Sequence, residues 1–312
     1  MAETSLRQGA VLDGRYLVGA RIGSGTHGVI HHATDLGSGE PLAIKFLHRD
    51  VADHPEYAVR LWREAQALKA LWGTSVIRIH RFGQDKSGAV YLAMELLEGE
   101  TLEQHLADIE SFGHRINALD TLTIFDPVAC ALEVAHAKGI LHRDIKPANI
   151  FLVAPDRGGG VRLMDFGLTR FFASGNDGDA RTSSASLTAA GTIAGSPAYI
   201  APEVWRTERL DQRVDVYALA AVIFRALAGR PPFHAPTMYE LFLRATSGAR
   251  PKLTAARPDL VPDIDAWVAR ALAVDRDQRY PDVPSMWGDF VDLLLQGSSP
   301  SVSLAREWIG DG

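Results

Sequence analysis

The stretch His142-Arg143-Asp144-Ile145-Lys146-Pro147-Ala148-Asn149-Ile150 decides the reading of this chain, because one short loop holds a candidate proton acceptor (Asp144), a cation (Lys146) and a metal-binding amide (Asn149). Working outward, Asp165-Phe166-Gly167 places a second oxygen ligand sixteen residues beyond Asn149. Upstream lie Gly23-Ser24-Gly25-Thr26-His27-Gly28 and, on a strand-like run, Ala43-Ile44-Lys45.

The chain around these parts has 312 residues, 46% hydrophobic and 22% charged, which suits two lobes with full-sized cores and excludes general disorder. A net charge of −6 leaves no global positive field for a nucleic-acid partner. The single cysteine, Cys130, lies in an apolar stretch and reads as a buried inert thiol in a reducing compartment. No run approaches the ~20 apolar residues that span a bilayer, and the N-terminus lacks the apolar core of a secretory signal, so cytoplasmic residence is expected.

Strands are expected over 15–22 and 29–34, flanking the Gly-rich turn, and over 42–47, 76–82 and 90–96. Residues 57–71 have helical spacing, with Leu61, Ala65, Leu68 and Leu71 on one face and Glu64 beside it. After Gly99 the character turns helical, with helices expected over 118–138, 214–227, 264–273 and 283–295. Pro127 falls inside the first of these and would cost about 3 kcal/mol in a helix interior, so a kink or restart at 125–127 is predicted, with Asp126 as N-cap. Residues 173–194 are small and polar. The division that follows is an extension at 1–13, a β-rich lobe at 14–97, a helical lobe at 98–295 and a tail or linker at 296–312.

Phosphoryl transfer needs charge neutralisation on the transferred group, in-line positioning of the hydroxyl, and a place for its proton. Asp144 is the candidate proton acceptor, and Asn149 and Asp165 offer the hard oxygens that Mg²⁺ prefers. The spacing of Gly23, Gly25 and Gly28 lets backbone amides approach phosphate, although a dinucleotide-binding turn shares that spacing. Lys45 on an apolar strand implies a partner.

Taken together these motifs resemble the protein kinase signature over about residues 14–295, most closely that of bacterial members of the eukaryotic-like serine/threonine kinases. The resemblance implies an α+β bilobal fold, with a small β-rich lobe carrying one main helix and a larger helical lobe. It implies that Lys45, held by Glu64, binds the α- and β-phosphates of ATP under the loop Gly23-Ser24-Gly25 to Gly28. Ile22, Ile30, Ala43 and Phe151 would wall the adenine slot, Glu95 to Leu97 would supply backbone hydrogen bonds, and Met94 would gate the rear. Phe151 departs from the usual aliphatic residue, and either narrowing of the slot or stacking on adenine fits the sequence. Asn149 and Asp165 would hold Mg²⁺, with Mn²⁺ as a substitute, and Lys146 would steady the γ-phosphate and favour Ser/Thr over Tyr acceptors.

Further along, Gly195 to Glu203 resembles the substrate-docking end of an activation segment, with Glu203 expected to pair with Arg279 and Asp215 to brace the catalytic loop. Arg143 before the candidate base implies control by phosphorylation of that segment, at Thr192 first and Thr188 second, through a transient homodimer. A scaffold that has lost catalysis and a small-molecule phosphotransferase are the alternatives. The filled catalytic positions speak against the first, and the long Ser/Thr-rich segment running into Gly195 to Glu203 speaks for a protein substrate.

Overall fold

In the computed structural model, which describes residues 8–25, 28–47, 68–85, 88–166 and 197–297, the β-rich runs of the first hundred residues close into one antiparallel sheet. Its strands are β1 (Val11–Leu12), β2 (Tyr16–Gly25), β3 (Gly28–Asp35), β4 (Pro41–Leu47), β5 (Ile79–Gln84) and β6 (Val90–Glu95), in the order β1-β2-β3-β4-β6-β5. The sheet takes in Val11 and Leu12, which the sequence reading places in an extension. The strand expected over 76–82 is shifted: β5 starts at Ile79, while Val76 makes an isolated bridge to Leu163. The helix expected over 57–71, with Glu64, lies almost wholly outside the described residues.

Alternation along β4 separates two environments, since successive side chains point to opposite faces. Leu42, Ile44 and Phe46 join Leu12, Tyr16, Val18, Ala33, Tyr91 and Ala93 in the outer core of the sheet, and Lys45 therefore points to the other face. Gly28 is required by packing as well as by any ligand. Its φ is +152°, and a Cβ there would sit 1.9 Å from the Phe46 carbonyl oxygen across the β3–β4 pair.

A short crossing leads to β7 (Gly99–Thr101), which pairs with β8 (Ile150–Val153), itself paired with β9 (Val161–Leu163), in a second, three-stranded sheet. Helices then build the larger lobe: α1 (Leu102–Ser111), α2 (Asp120–Ala137), the four-residue α3 (Pro202–Trp205), α4 (Arg213–Ala228), α5 (Met238–Ser247), α6 (Ile264–Ala271) and α7 (Val283–Gly297). The α1 start is fixed by a reciprocal capping box between Thr101 and Gln104. Almost every residue of α4 is buried, so it is the axis on which α2, α6 and α7 pack. Among the described residues no helix is long and apolar enough to cross a membrane.

Two expectations are corrected here. The α2 helix does not restart at 125–127 but continues through Pro127, and Asp126 is not its cap; the Asp126 carboxylate instead accepts the indole N–H of Trp287 at 2.7 Å, a tie between α2 and α7. Packing of the buried face of α2 overrides the local proline penalty. Cys130 is exposed, because its place on α2 turns it away from that face, and partial desolvation by its neighbours together with the nearby Asp126 and Glu133 carboxylates pushes the thiol above its ordinary value.

Candidate active site

The loop between α2 and β8 is held open for chemistry by one buried carboxylate. Asp215, fully buried at the start of α4, accepts the backbone N–H of His142 on Oδ2 and that of Arg143 on Oδ1, both at 2.8 Å. Arg143 has φ +67°, a left-handed conformation that a side chain avoids, so the loop needs this outside support. Burial alone would raise the Asp215 carboxyl, but the hydrogen bonds from His136 and the Arg143 backbone, with the neighbouring imidazoles, hold it below its ordinary value.

The His142 ring ties the loop to the Asp165 segment. The Asp144 N–H donates to its Nδ1 at 3.2 Å, so Nδ1 is the acceptor and Nε2 carries the proton that goes to the Met164 carbonyl at 3.0 Å. Phe166 stacks at a tilt against the same ring, 4.4 Å between centroids. Burial pushes the imidazole below its ordinary value, toward the neutral form that these two bonds require. A lowered histidine pKa means that the unfolded chain binds the extra proton, so stability is full above about pH 6.5 and is lost as pH falls through that value toward the folded pKa. Chemical denaturation at pH 7.5 and 5.5 is expected to show a steeper acid loss for the wild type than for His142→Phe. Equal pH slopes in the two proteins would refute the buried neutral ring.

Around this frame the structure gathers the chemistry. The Asp144 carboxylate accepts from Lys146 Nζ at 2.8 Å and Asn149 Nδ2 at 2.9 Å, and Asn149 Nδ2 also reaches the Asp144 carbonyl at 2.7 Å. With both amide bonds of Asn149 directed at Asp144, its amide oxygen is the atom available to a hard cation. Lys45, nearly fully buried, lies 2.6 Å from Asp165 Oδ1, and Asp165 takes the left-handed conformation with φ +57°. A carboxylate beside a carboxamide fits a divalent metal of the Mg²⁺ kind. Among the described residues no group of three or more His, Cys, Asp or Glu forms a softer metal site.

The nucleotide side is less enclosed. Ala43 is buried and is in register with Met94, Gly23 is opposite Ile30, and Ile22 is half exposed at the sheet rim. Ser24 and Gly25 end β2. Phe151 and Leu97 are half-buried, on β8 and on the crossing between lobes. Glu95 does more than supply backbone: its carboxylate accepts the Arg78 N–H at 2.7 Å and lies 3.4 Å from Arg162 Nε, pinning the crossing to β9.

At the far end of the lobe Glu203 and Arg279 form a buried bidentate pair, both bonds 2.7 Å. Glu64, Thr188, Thr192, Gly195 and Ser196 lie outside the described residues. The sequence reading missed His136, whose Nε2 lies 2.8 Å from Asp215 Oδ2. Its only sequence signal is a lone histidine near the end of α2.

A lysine on a twisted antiparallel sheet, facing across a hinge to a carboxylate and a loop-borne carboxylate–amide pair, defines a two-lobed phosphotransferase. The protein kinase domain model matches residues 16–281. PknL, a serine/threonine-protein kinase of Mycobacterium tuberculosis, is 33% identical over 94% of this chain and 69% of its own length. A probable serine/threonine-protein kinase of Streptomyces coelicolor is 32% identical over 94% of this chain, which spans 42% of that relative's length. Among solved structures, the Mycobacterium tuberculosis PknI kinase domain superposes with a TM-score of 0.70 at 28% identity, covering 94% of this chain and all of that one. The chain belongs to the protein kinase family, in its bacterial serine/threonine branch, whose members use ATP and a divalent metal.

Proposed function

We propose that this chain transfers the γ-phosphate of ATP to serine or threonine hydroxyls of protein substrates with Mg²⁺ as the metal, Mn²⁺ substituting. The observation that carries this reading is the Asp144 carboxylate gripped by Lys146 and Asn149 on a backbone braced by Asp215. In that setting Asp144 orients the acceptor hydroxyl and takes its proton as the oxygen bonds to phosphorus. Lys146, on the same carboxylate, lies where it meets the transferred group, and Lys45 holds the α- and β-phosphates. Asn149 and Asp165 would hold the metal, which when bound supplies charge neutralisation on the phosphates. Ile22, Ile30, Ala43, Met94 and Phe151 enclose the base, with the backbone of Glu95 and Leu97 as its hydrogen-bonding edge. Phosphorylation of Thr192 or Thr188 by a second copy, the Glu64 tether on Lys45, and a cytoplasmic setting belong to the same proposal.

Incubation with γ-labelled ATP, Mg²⁺ and an unstructured acceptor protein should place label on Ser and Thr, and chelation should abolish it. Label confined to Tyr, or ATP hydrolysis without transfer, would refute the reading. The Lys45–Asp165 pair adds an expectation for binding alone. While Asp165 engages Lys45, a phosphate group must compete for that ammonium, so ADP affinity in EDTA should fall below that with Mg²⁺ by roughly tenfold or more, the scale of one charge-assisted hydrogen bond. Asp165→Asn should narrow the gap, and calorimetry that finds the gap unchanged in this variant would exclude the competition.

A further inference from the structure

Beside the buried Glu203–Arg279 pair, the ends of α3, α5 and α6 and the turn before α7 enclose a cavity of about 740 Å³, a volume within the range of small-ligand sites. Glu203, Arg206, Arg250, Ala269, Ala273 and Val274 form its wall, and no part of the Asp144 loop or of the nucleotide side contributes. Exposed carboxylates stand at its lip, and they have work elsewhere. Asp277 accepts from Arg213 at 2.7 Å, Asp275 accepts the Asp277 N–H at 2.9 Å, and Glu208 comes no nearer than 3.9 Å to Arg206.

The inner wall is cationic without a matching anion. The partly buried Arg213, Arg225 and Arg257 and the buried Arg279 each meet a carboxylate within 2.9 Å. Half-buried Arg250 meets none: its guanidinium donates to the carbonyls of Ala245, Leu272, Gly248 and, at 3.4 Å, Arg244, and lies 4.6 Å over the Phe233 ring. Arg206 Nη2 donates to the Thr246 carbonyl at 3.0 Å, and its Nε and Nη1 make no hydrogen bond among the described residues. Capping of the C-terminal carbonyls of α5 explains those bonds, but one guanidinium suffices for a cap and neither needs to face a cavity. Burial lowers Arg250 below its ordinary value, with the Arg279 charge adding to it and Tyr217 opposing. The Tyr217 ring lies under that same Arg279, and its buried hydroxyl has no hydrogen-bond partner among the described residues. A buried charge calls for a counter-charge, and here the chain supplies none beyond the Glu203 already spent on Arg279.

We propose that this cavity binds a small organic oxyanion, a carboxylate or a phosphate monoester, with its head group between Arg206 and Arg250 and its uncharged body against Ala269, Ala273 and Val274. Planar guanidinium forks suit the paired oxygens of such a head group. The carboxylates at the lip repel a polyanion, so one anionic head on an apolar body fits where a nucleotide or a nucleic acid does not. The site shares no residue with the phosphoryl-transfer machinery and stands whether or not that reading holds.

The test titrates the full chain with phenyl phosphate and with benzoate and follows the backbone amides of 248–250 and 273–278 by NMR, which locates binding independently of the nucleotide site. At least one of the two probes should give saturable shifts at these amides, and whichever does so identifies the preferred head group. Arg250→Gln should raise Kd by roughly tenfold or more, the scale of one charge-assisted hydrogen bond. Because Arg250 also ties down carbonyls, that variant can fail to fold; Arg206→Gln, at an exposed position, then carries the same expectation. Ala269→Trp, exposed on α6, fills the cavity and should abolish the shifts while the rest of the spectrum stays in place. No saturable shift with either probe would overturn the proposal, and so would shifts that persist unchanged in Arg206→Gln and Ala269→Trp.

Discussion

Replacing Asp144 with Asn should cut kcat by ~10²–10⁴, the usual contribution of a positioned general base, while leaving ADP affinity and the folded structure in place. The substitution is nearly isosteric. The Asp144 carbonyl keeps its bond from Asn149, and the loop backbone keeps its bonds to Asp215, so the frame does not depend on the charge that is removed. What is lost is the oxygen that can take a proton, together with the anionic partner of Lys146 at 2.8 Å. Lys146→Ala separates the two effects. It removes a cation from the site but leaves the acceptor carboxylate, so its defect should include a raised KM for ATP, whereas the Asp144→Asn defect should lie in kcat. Single-turnover transfer to an acceptor protein, with ADP binding measured in parallel, decides the matter. An Asn variant retaining more than about a tenth of wild-type kcat would remove Asp144 from the role of proton acceptor.

The parts of this site that could be read in the sequence are those whose partners are close along the chain or whose spacing follows from regular structure. Asp144, Lys146 and Asn149 meet because they share one loop, and Lys45 faces inward because a strand alternates its side chains. His136 was illegible for the opposite reason. Its partner Asp215 is seventy-nine residues away, and nothing local distinguishes a histidine that packs from one that donates to a buried carboxylate. Asp126 misled on the same ground, since it looks like a cap beside Pro127 until α7 brings Trp287 against it. The helix α5 was missed although Thr237 and Glu240 have cap spacing and the Thr237 hydroxyl does accept the Glu240 N–H. Its apolar face is short, and the flanking Pro236 and Gly248 read as loop. The small sheet of β7, β8 and β9 was equally silent, because strands of three or four residues carry too little alternation to announce themselves.

Breaking the Glu203–Arg279 pair should produce the largest loss of stability in the chain, and the two halves of the pair should fail differently. The Arg279 side chain is 0% exposed and that of Glu203 is 3% exposed, and besides the bidentate bonds Arg279 donates to the carbonyls of Ala273, Arg213 and Val274 and lies 4.9 Å over the Tyr217 ring. Such a pair joins the α3 region to the chain before α7, and removing one partner leaves a charge where water cannot reach it, at about 3–5 kcal/mol. Against a total of about 5–15 kcal/mol that is enough to unfold this lobe in part. Glu203→Ala strands a guanidinium that cannot shed its proton, so its defect should persist unchanged from pH 8 to 5.5. Arg279→Met strands a carboxylate, which burial drives toward the protonated form; its folded pKa then exceeds the unfolded value, and the stability of this variant should rise as pH falls. The double variant Glu203→Leu with Arg279→Met, which leaves no buried charge, should lose less than either single change, a non-additivity that a shared ion pair requires. Urea denaturation of the four proteins across that pH range, followed by hydrogen exchange at residues 197–206 and 273–280, tests each point. Parallel pH profiles for the two single variants would show that neither stranded charge is buried, and the assignment of this pair as an internal tie would fall.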